Sequence, residues 1–244
     1  MSQKIFITSG KGGVGKSTVT ALLGAALAYL GNKVLLIELD FGLRSLDIIL
    51  GVQDKAIFDL NDVLVGKCSI GKATVTCEYL PELKLISASV DYFITFSEDD
   101  LKNLFEQISS EYDYILIDSP AGIGSSFRTA LRLVDRALIV VTPDPIAVRD
   151  ACKVSQILCD YGLTEQRLVI NKVKDKYAKL DILPDLDFVI DGVGVGLIAV
   201  VPDDVSIVKA TSKGERLNKD SMVWKVFNSL AKRVMGEYIA LNIK

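Results

Sequence analysis

The residues best placed to do chemistry are Gly10-Lys11-Gly12-Gly13-Val14-Gly15-Lys16-Ser17, which match G-x-x-x-x-G-K-[ST]. Glycines let a backbone bend tightly and turn its N–H groups inward around a polyphosphate. Lys16 would neutralise the outer phosphates and Ser17 would ligate Mg2+, while Thr18 opens a helix whose positive end adds to the attraction. A ligand-free glycine turn is the rival reading. It is disfavoured because every fixed position, and the elements on both sides, fit the phosphate-loop pattern.

Two carboxylates would complete a phosphoryl-transfer site. Asp118 ends the run Tyr114-Ile-Leu-Ile-Asp, the place of a carboxylate that orients Mg2+ through water. Asp40 follows the apolar run Val34–Glu38, which puts it at the carboxyl edge of a sheet, where open α/β folds bind their ligands. Alone, Asp40 would read as a helix cap or turn residue. Beside the phosphate loop and Asp118 it reads as the group that positions or activates water.

The elements that must position these residues alternate along the chain. Apolar runs at Ile5–Thr8, Val34–Glu38, Leu83–Ile86, Tyr114–Ile117, Ala137–Val141, Leu168–Ile170 and Leu197–Val201 lack polar alternation, as strands buried on both faces of a parallel sheet do. Helices are expected at Thr18–Leu30, from the Ser97 cap to Ile108, at Ile146–Tyr161 after Pro-Asp-Pro, and at Ser221–Met235. The irregular stretch from Lys172 to Val195 reads as a surface excursion. Such alternation predicts a doubly wound, mainly parallel α/β sheet flanked by helices, of the P-loop NTPase type. No linker or repeat divides the chain, so 1–244 is expected to be one domain, with 221–244 as a C-terminal helix and short tail.

Composition excludes several alternatives. The 244 residues include no histidine, so no Ser-His-Asp or Cys-His pair and no histidine metal ligand can be built. With 28 Lys+Arg against 31 Asp+Glu, the net charge of −3 argues against non-specific nucleic-acid binding. A mean hydropathy of +0.34 supports a large core, and no apolar run is long enough to span a membrane. Cys68, Cys77, Cys152 and Cys159 form no C-x-x-C pair and read as reduced packing residues in a cytosolic protein.

Lys11, one place after the first glycine, marks a resemblance to the deviant Walker ATPases of the MinD/ParA group, whose loop is similar at every position. The resemblance implies that Lys11 reaches the phosphates of the nucleotide held by the other subunit of an ATP-bound homodimer. The run Asp40-Phe-Gly-Leu-Arg-Ser-Leu-Asp47, continuing to Gly51, is similar to the MinD-type first switch, usually D-I-G-L-R-N-L-D. Asp118-Ser119-Pro120-Ala121-Gly122 resembles the second switch. Thr142-Pro143-Asp144-Pro145, Val148-Arg149-Asp150, Ile170-Asn171-Lys172 and Val201-Pro202-Asp203-Asp204 also match, so the resemblance runs in family order from Lys4 to about Gly236.

It implies that Asn171 and the backbone around Pro202 contact adenine, and that Arg44, Arg149 and Asp150 lie on a partner surface. Three positions depart from the pattern. Glu38 stands where a second aspartate is usual, and is expected at most at the metal shell; Ser45 replaces an asparagine, with no consequence expected. The family's basic amphipathic membrane tail has no counterpart in a sequence ending Ile239-Ala-Leu-Asn-Ile-Lys244. The apolar face of Ser221–Met235 reads as core rather than as a membrane helix.

The resemblance thus implies an ATP-hydrolysing dimerisation switch in placement of the division septum, using ATP/ADP and Mg2+ and slow without an activator. Regulatory partners of the MinC and MinE kind are implied, together with a cytoplasmic location or a peripheral one on the inner face of the membrane. Alternatives within the group are a partition or flagellar-placement ATPase, a soluble scaffold with weak hydrolysis, and, last, an iron–sulfur carrier using Cys152 and Cys159.

Overall fold

The computed structural model describes residues 2–91, 96–120, 122–174 and 185–241. Ala121 of the second switch, part of the excursion after Lys172, and the last three residues of the tail lie outside them.

The strands are β1 (Gln3–Thr8), β2 (Val34–Glu38), β3 (Val75–Thr76), β4 (Leu83–Ile86), β5 (Tyr114–Asp118), β6 (Arg136–Val141), β7 (Gln166–Val173) and β8 (Leu197–Pro202). They form a single sheet in the order β3-β4-β2-β5-β1-β6-β7-β8. Every pairing is parallel except that of the two-residue edge strand β3 with β4. All five residues of β2 are buried, as a strand covered on both faces requires.

The helices are α1 (Lys16–Tyr29), α2 (Leu46–Ile49), α3 (Leu60–Leu64), α4 (Ile70–Ala73), α5 (Glu98–Ile108), α6 (Ser125–Leu131), α7 (Pro145–Asp160), α8 (Leu186–Val193), α9 (Val205–Lys213) and α10 (Met222–Val234). Local chemistry starts the longer ones. Ser97 and Asp100 form a reciprocal capping box on α5, Asp144 caps α7 ahead of Pro145, and Ser221 caps α10. Helix α1 is apolar on nearly all sides because it lies between the sheet and α10. Its residues Val19 to Ala28 are all buried, and Tyr29 meets Trp224 edge to face with ring centroids 5.4 Å apart.

Helix α10 buries Val223, Trp224, Phe227, Leu230, Ala231 and Val234, so the apolar face of this terminal helix is core. Among the described residues no helix is long and apolar enough to cross a membrane. Two expectations are corrected. The stretch from Lys172 to Val195 is not simply a surface excursion: β7 continues to Val173, and Asp185 caps helix α8, which ends at left-handed Gly194. The cysteines are not uniformly packing residues either, since only Cys77 is buried and Cys159 is exposed.

Candidate nucleotide site

The site lies where β1, β2 and β5 end side by side. In this topology the chain leaves β1 into α1, crosses to β2, and later inserts β5 between them, which brings Gly10–Ser17, Asp40 and Asp118 to one sheet edge. A cavity of about 570 Å3 opens there, walled by the phosphate loop, Asp40, Asn171 and Lys172, Pro202 to Asp204, and the first turns of α9.

The phosphate loop joins Thr8 to Lys16. Gly10 touches the backbone of α7 so closely that a Cβ would lie 2.3 Å from the Asp150 carbonyl carbon. Gly15 adopts φ 92°, and a Cβ there would come within 2.3 Å of Asn171 Nδ2. Val14 turns its side chain into the core. Gly12 and Gly13, by contrast, face open space.

Lys16 is the charged centre. Its Nζ lies 3.1 Å from Asp118 Oδ1 and 3.7 Å from Asp40 Oδ2, with the side chain only 10% exposed. It makes no well-angled hydrogen bond, so a buried ammonium is held at the cavity wall with donors to spare. Asp118 is wholly buried: its Oδ2 accepts from Ser17 Oγ at 2.7 Å and its Oδ1 from Thr20 Oγ1 at 2.8 Å. Thr20 is a contributor that the sequence reasoning missed. Its spacing of three from Ser17 on a helix, which places both hydroxyls on one face, was the available signal.

Lys11 stands at the mouth with its side chain 44% exposed and 3.5 Å from Asp144 Oδ1. Asp144 also accepts from Thr142 Oγ1 at 2.7 Å and Ala147 N at 3.0 Å. Burial works to raise the Asp144 carboxyl, but these hydrogen bonds and Lys11 outweigh it and hold the group below its usual range. Asn171 lines the cavity and also ties down the loop, its Nδ2 donating to the Val14 carbonyl at 2.7 Å. Thr18 and Pro202 line the cavity as expected.

Glu38 is the main correction. It does not face the cavity beside Asp118 as a metal-shell group. It is wholly buried, and Oε1 accepts from Ser45 N at 2.6 Å, Ser45 Oγ at 3.0 Å and Leu46 N at 3.1 Å, while Oε2 accepts from Ala88 N at 3.3 Å. Burial, seconded by the nearby Asp118 charge, raises its carboxyl above the usual range although the Ser45, Leu46 and Ala88 amides pull the other way. The longer acid caps the start of α2 from the strand below. The Ser45 hydroxyl and amide are two of the four donors.

Arg44 is engaged within its own segment. Its Nε lies 2.5 Å from Asp47 Oδ2 and it donates to the Ala56 carbonyl, so it stiffens its own loop. Arg149 is a surface group, 68% exposed and 3.5 Å from Asp150 Oδ1.

These residues fit a nucleoside polyphosphate with Mg2+: a glycine cradle at a helix N-terminus, a buried ammonium lacking hydrogen-bond partners, and a hydroxyl on a buried carboxylate. Comparison with known proteins agrees. Residues 2–167 match a family described as an AAA domain. The chain is 40% identical to the septum site-determining protein MinD of Synechocystis sp. over 98% of its own length and 91% of the relative's. The MinC:MinD cell division protein complex of Aquifex aeolicus is similar at TM-score 0.92 and 36% identity, covering 99% of this chain and 98% of that one. MinD of Pyrococcus horikoshii, solved with Mg-ADP, is similar at TM-score 0.85 and 30% identity, with 96% of each chain covered. The chain belongs to the MinD family of septum site-determining ATPases.

Proposed function

We propose that this ATPase is a switch in which bound ATP closes a homodimer, the closed form docks partners that place the division septum, and slow hydrolysis reopens it. The observation that carries the reading is Lys11, half-exposed at the cavity mouth and held there by a 3.5 Å ion pair to Asp144. A pair that long and that wet is weak, so a phosphate presented by a second copy can compete for the lysine. The cavity wall also exposes the apolar side chains Leu43 and Val208, which a second copy would cover.

Catalysis would rest on placed charge. Lys16 and Lys11 stabilise the transferring phosphoryl group, the Val14 and Gly15 amides hold its neighbour, and Asp40 orients the attacking water. Ser17, with Asp118 behind it through water, would hold Mg2+. When bound, the ion supplies neutralising charge to the phosphate oxygens. With its Nδ2 committed to Val14, Asn171 has Oδ1 left to accept from an exocyclic amine, which suits adenine.

Arg149 and Asp150 are assigned to docking of regulatory proteins of the MinC and MinE kind, and a peripheral position on the inner face of the cell membrane is proposed with the family role. Light scattering and phosphate release decide the core of the reading: ATP, not ADP, should double the mass, and Lys11→Ala should stay monomeric with turnover near background. A Lys11→Ala protein that dimerises and hydrolyses like the parent removes the proposal. Pelleting with anionic vesicles in ATP but not ADP tests the membrane arm.

A further inference from the structure

Among the described residues Lys172 is the only one other than glycine in the left-handed backbone region, with φ 57°. Such a conformation crowds the Cβ of a lysine, and a chain with no other demand at the position would carry glycine or asparagine. Strain of this kind persists where the surroundings over-determine it. The β7–β8 register slips between Ile170 and Val173, and this irregularity turns two consecutive side chains back over the phosphate loop. Lys172 Nζ donates to the Gly13 carbonyl at 2.7 Å, and Asn171 Nδ2 donates to the Val14 carbonyl at 2.7 Å. Two neighbouring side chains thus grip two neighbouring carbonyls. The lysine stem passes close by, with Cε 3.7 Å from where a Gly15 Cβ would be.

In a planar trans peptide the C=O and the following N–H point opposite ways. Drawing the Gly13 carbonyl toward Lys172 therefore turns the Val14 N–H the opposite way, and drawing the Val14 carbonyl toward Asn171 does the same for the Gly15 N–H. Free glycine-rich backbone has many other arrangements open to it, so amides aimed in advance bind an anion at a lower ordering cost.

We propose that Lys172 is a positioning residue for the nucleotide phosphates, bracing the phosphate loop from the end of β7 so that the Val14 and Gly15 amides turn away from the brace and toward the phosphates. The proposal rests on the nucleotide reading above and adds to it a residue that need not touch the ligand.

The test separates brace from turn. Lys172→Gly and Lys172→Asn accept the left-handed backbone but lose the amine, whereas Lys172→Arg keeps a donor. Affinity for Mg-ADP by calorimetry, melting temperature, and hydrogen exchange at the Val14 and Gly15 amides of nucleotide-free protein are read for each. Lys172→Gly and Lys172→Asn should melt at or above the parent temperature, bind Mg-ADP about tenfold more weakly, and exchange both amides faster. Lys172→Arg should recover most of the affinity. Parent-like affinity and exchange in Lys172→Gly would overturn the brace, leaving a plain surface turn. If the parent itself fails to bind Mg-ADP, the nucleotide reading falls instead, and the exchange comparison still decides whether Lys172 orders the loop.

Discussion

The phosphate loop and the first switch face each other across Lys16 and are held in opposite ways. The loop takes its shape from glycine backbone packed on α7 and gripped from behind by Asn171 and Lys172. The switch, from Asp40 to Leu46, is tied at separate points: Glu38 anchors its far end, Arg44 pairs with Asp47, and Lys16 faces Asp40 at the near end. Backbone packing distributed over many contacts resists change, whereas the switch hangs on a few separate side-chain and backbone contacts, among them Arg44 to Asp47 and the Gly42 amide to the Ser89 carbonyl at 2.9 Å. The comparison explains why Leu43 and Ile48 can stay exposed on the switch while the loop beside them is tied down.

The sharpest way to break the comparison is at the shared centre. Lys16→Ala removes the ammonium that faces both carboxylates, and phosphate release should fall about 1,000-fold or more. Turnover within tenfold of the parent would mean that charge placement at Lys16 is not what the site depends on. On the loop side, Gly15→Ala puts a Cβ at a positive φ and against Asn171 Nδ2, and should destabilise by about 2–4 kcal/mol. Calorimetry should show the melting temperature lowered by about 5–10 °C.

On the switch side, Glu38→Ala leaves the amides of Ser45, Leu46 and Ala88 buried without an acceptor, at a cost of about 2–3 kcal/mol. Hydrogen exchange should quicken in residues 42–46 and leave the phosphate loop slow. Acceleration spread equally over both would show that they are one unit. Ser45→Ala removes a single hydroxyl donor and should cost about 1 kcal/mol.

The smallest effect is a slope. The Glu38 carboxyl is raised in the folded state, so its contribution to stability is full below its usual value of 4.5 and declines as pH rises through the folded value. Melting curves of Glu38→Gln should fall less steeply from about pH 4.5 to neutrality than those of the parent. Parallel curves would place the titration elsewhere.

Much of this arrangement was legible in the chain. Continuous apolar runs identified every strand but β3, whose two residues are too short to carry a pattern, and the Ser97 cap and the Pro-Asp-Pro turn located two of the long helices. Short helices such as α2 escaped for the same reason: four residues hold no periodicity, and the group that caps α2 comes from β2 rather than from its own start. Lys16, Ser17 and Asp118 were identifiable because their spacing is bound to the backbone they sit on. Thr20, Asp144 and the brace from Asn171 and Lys172 depend on strands far apart in sequence being side by side.

The sequence by itself determined a phosphate-binding loop between strand and helix, two acids at the carboxyl ends of apolar runs, and chemistry without histidine. Those features follow from local backbone freedom, periodicity and residue type, which need no knowledge of neighbours. Only the tertiary structure decided that Glu38 supports the switch instead of a metal, that Arg44 serves its own loop, and that Lys172 leans on Gly13. An acid beside a sheet edge points to one face or the other according to which donors the fold brings within about 3 Å, and that is settled by chain crossings rather than by spacing.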